Sequence, residues 1–228
     1  MDIKKSTYLC ILLLLLFGCR RSGVNEGIIK YDILFNKEEK KKNAVIDLLP
    51  TEMEQYFKNG SSKCKIEGFM GMFLTALISN TDSKTNSYVF KVLGDKHYCK
   101  TKYGQKTLGF DPIVGMHLKK TLVKKEIAGC KAKKVIVTFD DPTIPSYDIY
   151  YTDDIIIDNP NWSNPYSELS GVLLEFRVKM KGITMIIKAK EVIKKEIPDS
   201  EFEIPEGFKR VTPHSLDSII VQIMNSAK

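Results

Sequence analysis

Apolar and charged residues alternate along much of this chain, and this two-residue period constrains its fold more than any other feature. Such alternation is typical of β-strands that bury one face and expose the other. It recurs between turn residues often enough to predict roughly eight to ten antiparallel strands. We therefore expect a mainly β (α+β) fold, with a curved antiparallel sheet or half-barrel packed against one or two helices. The clearest runs carry their apolar residues at Val172, Leu174, Phe176, Val178 and Met180, and at Ile183, Met185, Ile187 and Ala189.

Glycine-containing turns divide the alternating runs into candidate strands. The first strand is expected to begin at Gly27, and a short strand is expected at 147–152. The apolar segment 66–79 contains two glycines, which favours one bent strand or a pair of strands over a helix. A hairpin is predicted around Gly94, with that glycine as the first residue of a tight turn. Residues 153–171 form the longest irregular segment, and such long loops are commonly lids or binding loops.

Two helices and two minor segments complete the expected secondary structure. A helix is predicted to start at Pro50, because Thr51 and Glu54 have the spacing of a capping box. A second helix is predicted after Thr212-Pro213, where apolar residues recur at helical spacing. We expect residues 37–43 to form a charged loop and residues 44–49 to form a short strand.

The first nineteen residues have the layout of an export signal. Lys4 and Lys5 precede an apolar run of roughly 10 residues, about half of the roughly 20 that a membrane-spanning helix needs. The run ends in Leu16-Phe17-Gly18-Cys19, which resembles the lipobox of bacterial lipoproteins. That resemblance implies cleavage before Cys19 and acylation, including palmitate, of the new terminal cysteine. The expected organisation is a signal peptide at 1–18, a lipidated tether at 19–26 and a single domain at 27–228. The alternative is an ordinary cleaved leader in which Cys19 is incidental.

The expected location follows from the tether and the net charge. Arg20-Arg21 follow Cys19 in place of the aspartate that marks inner-membrane retention in the enteric type of lipoprotein sorting. We therefore expect an outer-membrane protein that faces the periplasm and contacts the membrane through its lipid anchor. Removal of residues 1–18, which include Asp2, Lys4 and Lys5, lowers the net formal charge from +7 to +6. A moderately basic surface of this kind suits a position beside anionic lipid headgroups. An exported protein meets little nucleic acid, so no nucleic-acid partner is expected.

Three cysteines follow Cys19, and an oxidising compartment allows one disulfide among them. We predict a bond between Cys99 and Cys130, with Cys64–Cys99 as the alternative. The cysteine spacings match no close-spaced zinc pattern and the histidines are scattered, so neither a metal site nor a cofactor is expected.

Candidate catalytic groups are few. The aspartates at 140–141, and those at 153–154 with Asp158, could form carboxylate pairs for acid–base chemistry or a calcium site. Beside Pro142, Asn159 and Pro160 they are more simply turn formers. No serine stands in a nucleophile-elbow motif. The sequence therefore predicts no catalytic residue and no enzyme activity.

Five short segments, spread in order over most of the chain after Cys19, carry a family resemblance. They are GIIKY at 27–31, IAGCKAKK at 127–134, YYTD at 150–153, GVLL at 171–174 and FEIPEGF at 202–208. Together they resemble segments of a group of small exported bacterial proteins, including those named for a GLPGLI peptide. The segment at 171–174 differs from that peptide, which indicates a sister family. Such proteins resemble lipoprotein carriers (LolA/LolB-like), whose fold is a half-open β-barrel closed by helices, so the resemblance implies that fold and a lipid as cargo.

Two function classes remain open. In the first, the sheet binds a lipid or other apolar ligand, and Trp162 and Tyr166 on the long loop form a lid. In the second, the core is filled and the chain is a structural or interaction lipoprotein that contacts an envelope protein partner. Packing of the same apolar residues in a plain core, and a loop pinned by one buried aromatic, are the simpler alternatives. The expected ligand-lining residues are Phe69, Met72, Phe73, Leu174, Phe176 and Met185.

Overall fold

The computed structural model describes residues 23–42, 44–103, 105, 108–111 and 113–226. The expected signal peptide at 1–18 and the lipidation site Cys19 lie outside the described residues. They stay predictions from the sequence.

The described chain is mainly β, as the alternation predicts. Its two α-helices are α1 (Lys37–Lys42) and α2 (Pro213–Ser226). Short 3-10 turns occupy Ala44–Leu48, Phe69–Gly71 and Asp199–Phe202. The strands are β1 (Glu26–Phe35), β2 (Glu52–Lys58), β3 (Ser61–Gly68), β4 (Phe73–Asn80), β5 (Thr85–Val92), β6 (Asp95–Lys102), β7 (Met116–Ile127), β8 (Cys130–Phe139), β9 (Tyr147–Thr152), β10 (Val172–Met180), β11 (Ile183–Lys194) and β12 (Lys209–Arg210).

All twelve strands of the described residues belong to one sheet, in the order β12-β6-β5-β4-β3-β2-β1-β11-β10-β9-β8-β7. Neighbours pair antiparallel, except that β12 pairs parallel with β6. The sheet is curved and does not close, so β12 and β7 are its edges. The pairing of β1 with β11 brings together two strands that are far apart in the sequence. The predicted curved antiparallel sheet is therefore confirmed in its coarse form.

The prediction of a helix that starts at Pro50 is wrong, because strand β2 begins at Glu52. Met53, Gln55 and Phe57 are buried on one face, while Glu52 and Glu54 lie on the other. The capping-box spacing of Thr51 and Glu54 is also compatible with this alternation. Pairing with β1 and β3 on either side decides in favour of the strand.

Three smaller expectations are also corrected. The expected loop at 37–43 contains α1, and the expected strand at 44–49 is a 3-10 turn. In the β5–β6 hairpin Val92 pairs with Asp95, so Leu93 is the first turn residue and takes a positive φ of 54°. Gly94 is the second turn residue, because β5 ends one residue earlier than the alternation indicates.

The C-terminal helix α2 forms where it is predicted. The Thr212 side chain accepts a hydrogen bond from the backbone N–H of Ser215 (3.1 Å), which caps the first turn. Leu216 is buried against Tyr88, Phe90 and Cys99. The helix therefore covers the sheet at its β5–β6 end.

The main core lies where the curved sheet brings β1–β3 toward β8–β11. Ile29, Tyr31 and Phe57 are buried in one cluster with Val135 and Leu174. Cys64 and Ile66 of β3 also pack against this cluster. The curvature leaves an internal space between β2–β5 and β10–β11.

Candidate functional site

A cavity of about 150 Å³ occupies this internal space. Its walls come from strands far apart in the sequence: β2–β5 on one side and β10–β11 on the other. The Leu108–Phe110 segment also lines it, and Phe110 forms an isolated antiparallel bridge with Met180. The apolar wall consists of Met53, Cys64, Ile66, Leu77, Val172, Leu173, Phe176, Val178, Met180, Met185 and Ile187.

The described residues that line this cavity include no Asp, Glu, Lys, Arg or His. Its ionisable groups are Cys64 and Tyr88. Burial raises the pKa of the Cys64 thiol to about 12 and raises the pKa of Tyr88. Both groups are therefore neutral at physiological pH. The cavity offers no ionised group to a ligand.

Several polar groups at the wall already have hydrogen-bond partners within the protein. The single proton of the buried Tyr31 hydroxyl is shared between Gln55 Oε1 and the carbonyl oxygen of Leu173, each 3.0 Å away. Ser79 Oγ donates to Asn86 Oδ1 at 2.7 Å. Because these groups already have partners, they add little attraction for a polar ligand. An apolar group is the better match for this wall.

The long loop 153–171 covers one side of the cavity through Pro160, Asn161, Ser163 and Asn164. The buried Asn161 side chain donates to the carbonyls of Leu169 (2.7 Å) and Gly171 (2.8 Å). These bonds close the loop on itself. The loop is therefore an ordered wall of the site.

Tyr166 anchors this loop and is fully buried. Its hydroxyl donates to the carbonyl of Arg177 and lies 3.0 Å from the Tyr147 hydroxyl. Its ring meets Phe176 edge-on, with centroids 6.4 Å apart. Trp162 instead stacks on Tyr103 at 5.3 Å. Neither aromatic lines the cavity, so the predicted lid position is corrected: Tyr166 pins the loop and its neighbours at 160–164 form the wall.

Phe176 and Met185 are the two predicted ligand-lining residues that the structure places on the cavity wall. Leu174 is buried elsewhere in the core, because the register with β9 shifts between Leu173 and Glu175. This irregularity turns Leu173 toward the cavity in its place. A two-residue period does not reveal such a shift.

The other three predicted lining residues are also corrected. Phe69 and Met72 belong to the turn between β3 and β4 and are 49% and 44% exposed. Phe73 packs edge-on against Phe90, with centroids 6.0 Å apart. The sequence shows that residues 66–79 are apolar. The turn at Phe69–Gly71 moves the middle of this segment away from the sheet. Ile66 and Leu77, on either side of that turn, are among the members of this segment that line the site.

The predicted disulfide between Cys99 and Cys130 is not formed. Cys64, Cys99 and Cys130 are all free thiols. Eight strands separate β6, which carries Cys99, from β8, which carries Cys130. The two thiols accordingly lie in different buried clusters.

The aspartate pairs serve as turn and ion-pair groups. Asp141 accepts hydrogen bonds from the backbone and hydroxyl of Thr143 at 2.9 and 2.7 Å. Asp154 accepts from the backbone N–H of Lys131, and Asp153 forms an ion pair with Lys133. Within the described part of the chain, no group of three His, Cys, Asp or Glu side chains is arranged to hold a metal ion. Nor does that part contain a helix long and apolar enough to cross a membrane.

No family model matches the chain, and a search of curated proteins gave no match. Among solved structures, the crystal structure of LprF from Mycobacterium bovis matches with a TM-score of 0.27 and 14% sequence identity. The match covers 81% of this chain and 90% of that chain. At this TM-score the likeness supports no statement about the function of this chain.

Proposed function

We propose that this chain is a lipid-anchored protein of the outer membrane that faces the periplasm and binds an apolar group, without catalysing a reaction. The anchor is Cys19, on the lipobox resemblance. The ligand site is the cavity between β2–β5 and β10–β11. A lipid or another apolar molecule is the proposed ligand.

The observation that carries this proposal is a cavity with an apolar wall and no charged residue among those that line it. An empty apolar cavity costs the fold the contacts that its lining atoms would otherwise make. Filling it with an apolar group restores those contacts and removes apolar surface from water. The free energy of binding an acyl chain or an apolar ring against this wall is therefore favourable.

The size of the cavity limits what enters it. A volume of about 150 Å³ resembles that of an engineered dry cavity that accepts benzene, and equals about five water volumes. Sites for drug-sized ligands are larger, at roughly 300–1,000 Å³. The cavity as it stands thus holds the end of an acyl chain, about five methylenes, worth about 4 kcal/mol of transfer free energy.

Filling the cavity with protein should abolish binding. In Ile66→Trp, a larger side chain enters the space from the half-buried wall of β3. The matched control is Ile186→Trp, since Ile186 is also half-buried but lies outside the cavity lining. We expect the affinity for a fluorescent fatty acid to fall at least about tenfold in Ile66→Trp, and within about twofold in the control. Equal affinities in the wild type and both variants would show that the probe does not use this cavity.

A further inference from the structure

The edge strand β7 carries two exposed apolar side chains in its middle. Leu122 is 97% exposed and Val123 is 55% exposed. Lysines flank them on both sides, in the sequence Lys119-Lys120-Thr121-Leu122-Val123-Lys124-Lys125. This segment is called the β7 bulge below.

Strand pairing and two hydrogen bonds define the geometry of the β7 bulge. Lys120 pairs with Val135 and Lys124 pairs with Lys133, so three β7 residues lie opposite Lys134 alone. The Thr121 hydroxyl donates to the carbonyl of Lys134 at 3.0 Å and accepts from the N–H of Val123 at 3.2 Å. These hydrogen bonds hold the extra residues outward. Leu122 and Val123 are therefore presented to solvent by the fold.

Most lysines of the β7 bulge form no ion pair with the residues that the structure describes. Lys125 pairs with Glu175 at 2.7 Å and lies over the Tyr150 ring. Lys119, Lys120 and Lys124 have no ion-pair partner among the residues that the structure describes. Glu126 is the one acidic side chain of β7. The bulge therefore has an excess of positive charge around its apolar pair.

Protection of the sheet edge explains only part of this composition. Edge strands commonly use lysines and bulges to prevent pairing with another chain. That role requires no exposed leucine and valine between the lysines. Apolar side chains ringed by cationic ones are typical of surfaces that rest in the headgroup region of anionic membranes.

The first described residues of the chain lie close to the turn between β7 and β8. The N–H of Val24 donates to the carbonyl of Asp154 at 2.8 Å. The Asp154 side chain accepts from the N–H of Lys131, just after the β7–β8 turn. Four peptide links join Cys19 to Gly23 and span at most about 14 Å. Leu122 stands five residues before the end of β7, or about 17 Å along the strand. A membrane that holds Cys19 thus lies within reach of the bulge.

We propose that the β7 bulge rests on anionic lipid headgroups, with Leu122 and Val123 in the interfacial region and the lysines beside the phosphates. The proposal rests on the proposed lipid anchor at Cys19. It is independent of ligand binding in the cavity. Docking of the bulge would fix how the anchored domain is oriented above the bilayer.

Lysine labelling in reconstituted vesicles tests this proposal. The full-length lipidated protein is placed in phosphatidylcholine vesicles with or without phosphatidylglycerol, and treated with an amine-reactive ester. We expect Lys119, Lys120 and Lys124 to label about fivefold more slowly in the anionic vesicles. Lys91 and Lys96, at the other edge region of the sheet, serve as internal controls and should label equally in both. At 1 M salt the protection should vanish, because the Debye length falls to about 3 Å.

The matched variants are Leu122→Ser with Val123→Ser, and Leu93→Ser as a control at an exposed hairpin turn. The double variant should lose the protection, and the control should keep it. Equal labelling of the β7 lysines in both vesicle types would overturn the proposal. Protection that arises only in native membranes would also overturn it, in favour of an acidic protein partner. Vesicle flotation in the same samples reports the anchor separately, so failure of the anchor is distinguishable from failure of the bulge.

Discussion

Tyr166→Ala should lower the free energy of unfolding by about 4 kcal/mol, the range for deletion of a buried aromatic ring. The side chain is fully buried, and it holds the loop 153–171 to the sheet. Its loss leaves the Arg177 carbonyl without its donor and removes the edge-on contact with Phe176. Urea unfolding of the wild type and the variant measures this change.

Two further variants separate the parts of this effect. Tyr166→Phe keeps the ring and should cost about 1–2 kcal/mol, because the Arg177 carbonyl and the Tyr147 hydroxyl lose a partner. Trp162→Ala removes only a stacked pair with the exposed Tyr103 and should cost about 1 kcal/mol. If Tyr166→Ala unfolds at the same urea concentration as Trp162→Ala, Tyr166 is not the anchor of the loop.

Cys19→Ser should remove nearly all of the protein from the lipid-anchored fraction. The hydroxyl of serine cannot form the thioether that the lipobox resemblance implies. The leader should then remain uncleaved, or the cleaved chain should be released. Membrane fractionation combined with mass spectrometry of the N-terminal peptide measures both outcomes.

Cys10→Ser is the matched control, since Cys10 lies within the apolar run of the leader. That variant should be processed and acylated like the wild type. An intact, unmodified Cys19 inside the mature wild-type chain would contradict the lipoprotein assignment. The cavity proposal would survive that result, because its residues lie in the described domain.

Much of the sheet could be predicted from local alternation, because one-faced burial leaves a period of two residues. The bounds of β9 match the expectation, and β10 and β11 form around Gly182 as expected. The same signal was ambiguous at Thr51–Glu54, where the helix-cap spacing coincides with strand alternation. Only the neighbouring strands β1 and β3 decide that case, and their pairing is not encoded locally.

The cavity was harder to predict, because its walls join strands that are distant in the sequence. Alternation predicts the positions of Phe176 and Met185 on the wall, because both lie on the apolar faces of regular strands. It fails for Leu174, because the register shift after Leu173 reverses the face. The predicted Cys99–Cys130 bond failed for a related reason: strand order sets which thiols meet, and the chain order does not reveal it.

The cavity claim is tested most directly by native mass spectrometry with organic extraction of the full-length protein purified from its own membranes. Wild type and Ile66→Trp are compared in the same detergent, so that lipid bound only at the surface appears in both. We predict one apolar molecule per wild-type chain and its loss from Ile66→Trp. A wild-type chain without such a molecule, or with equal amounts in both proteins, would contradict a binding cavity. Either result would favour a structural or interaction lipoprotein.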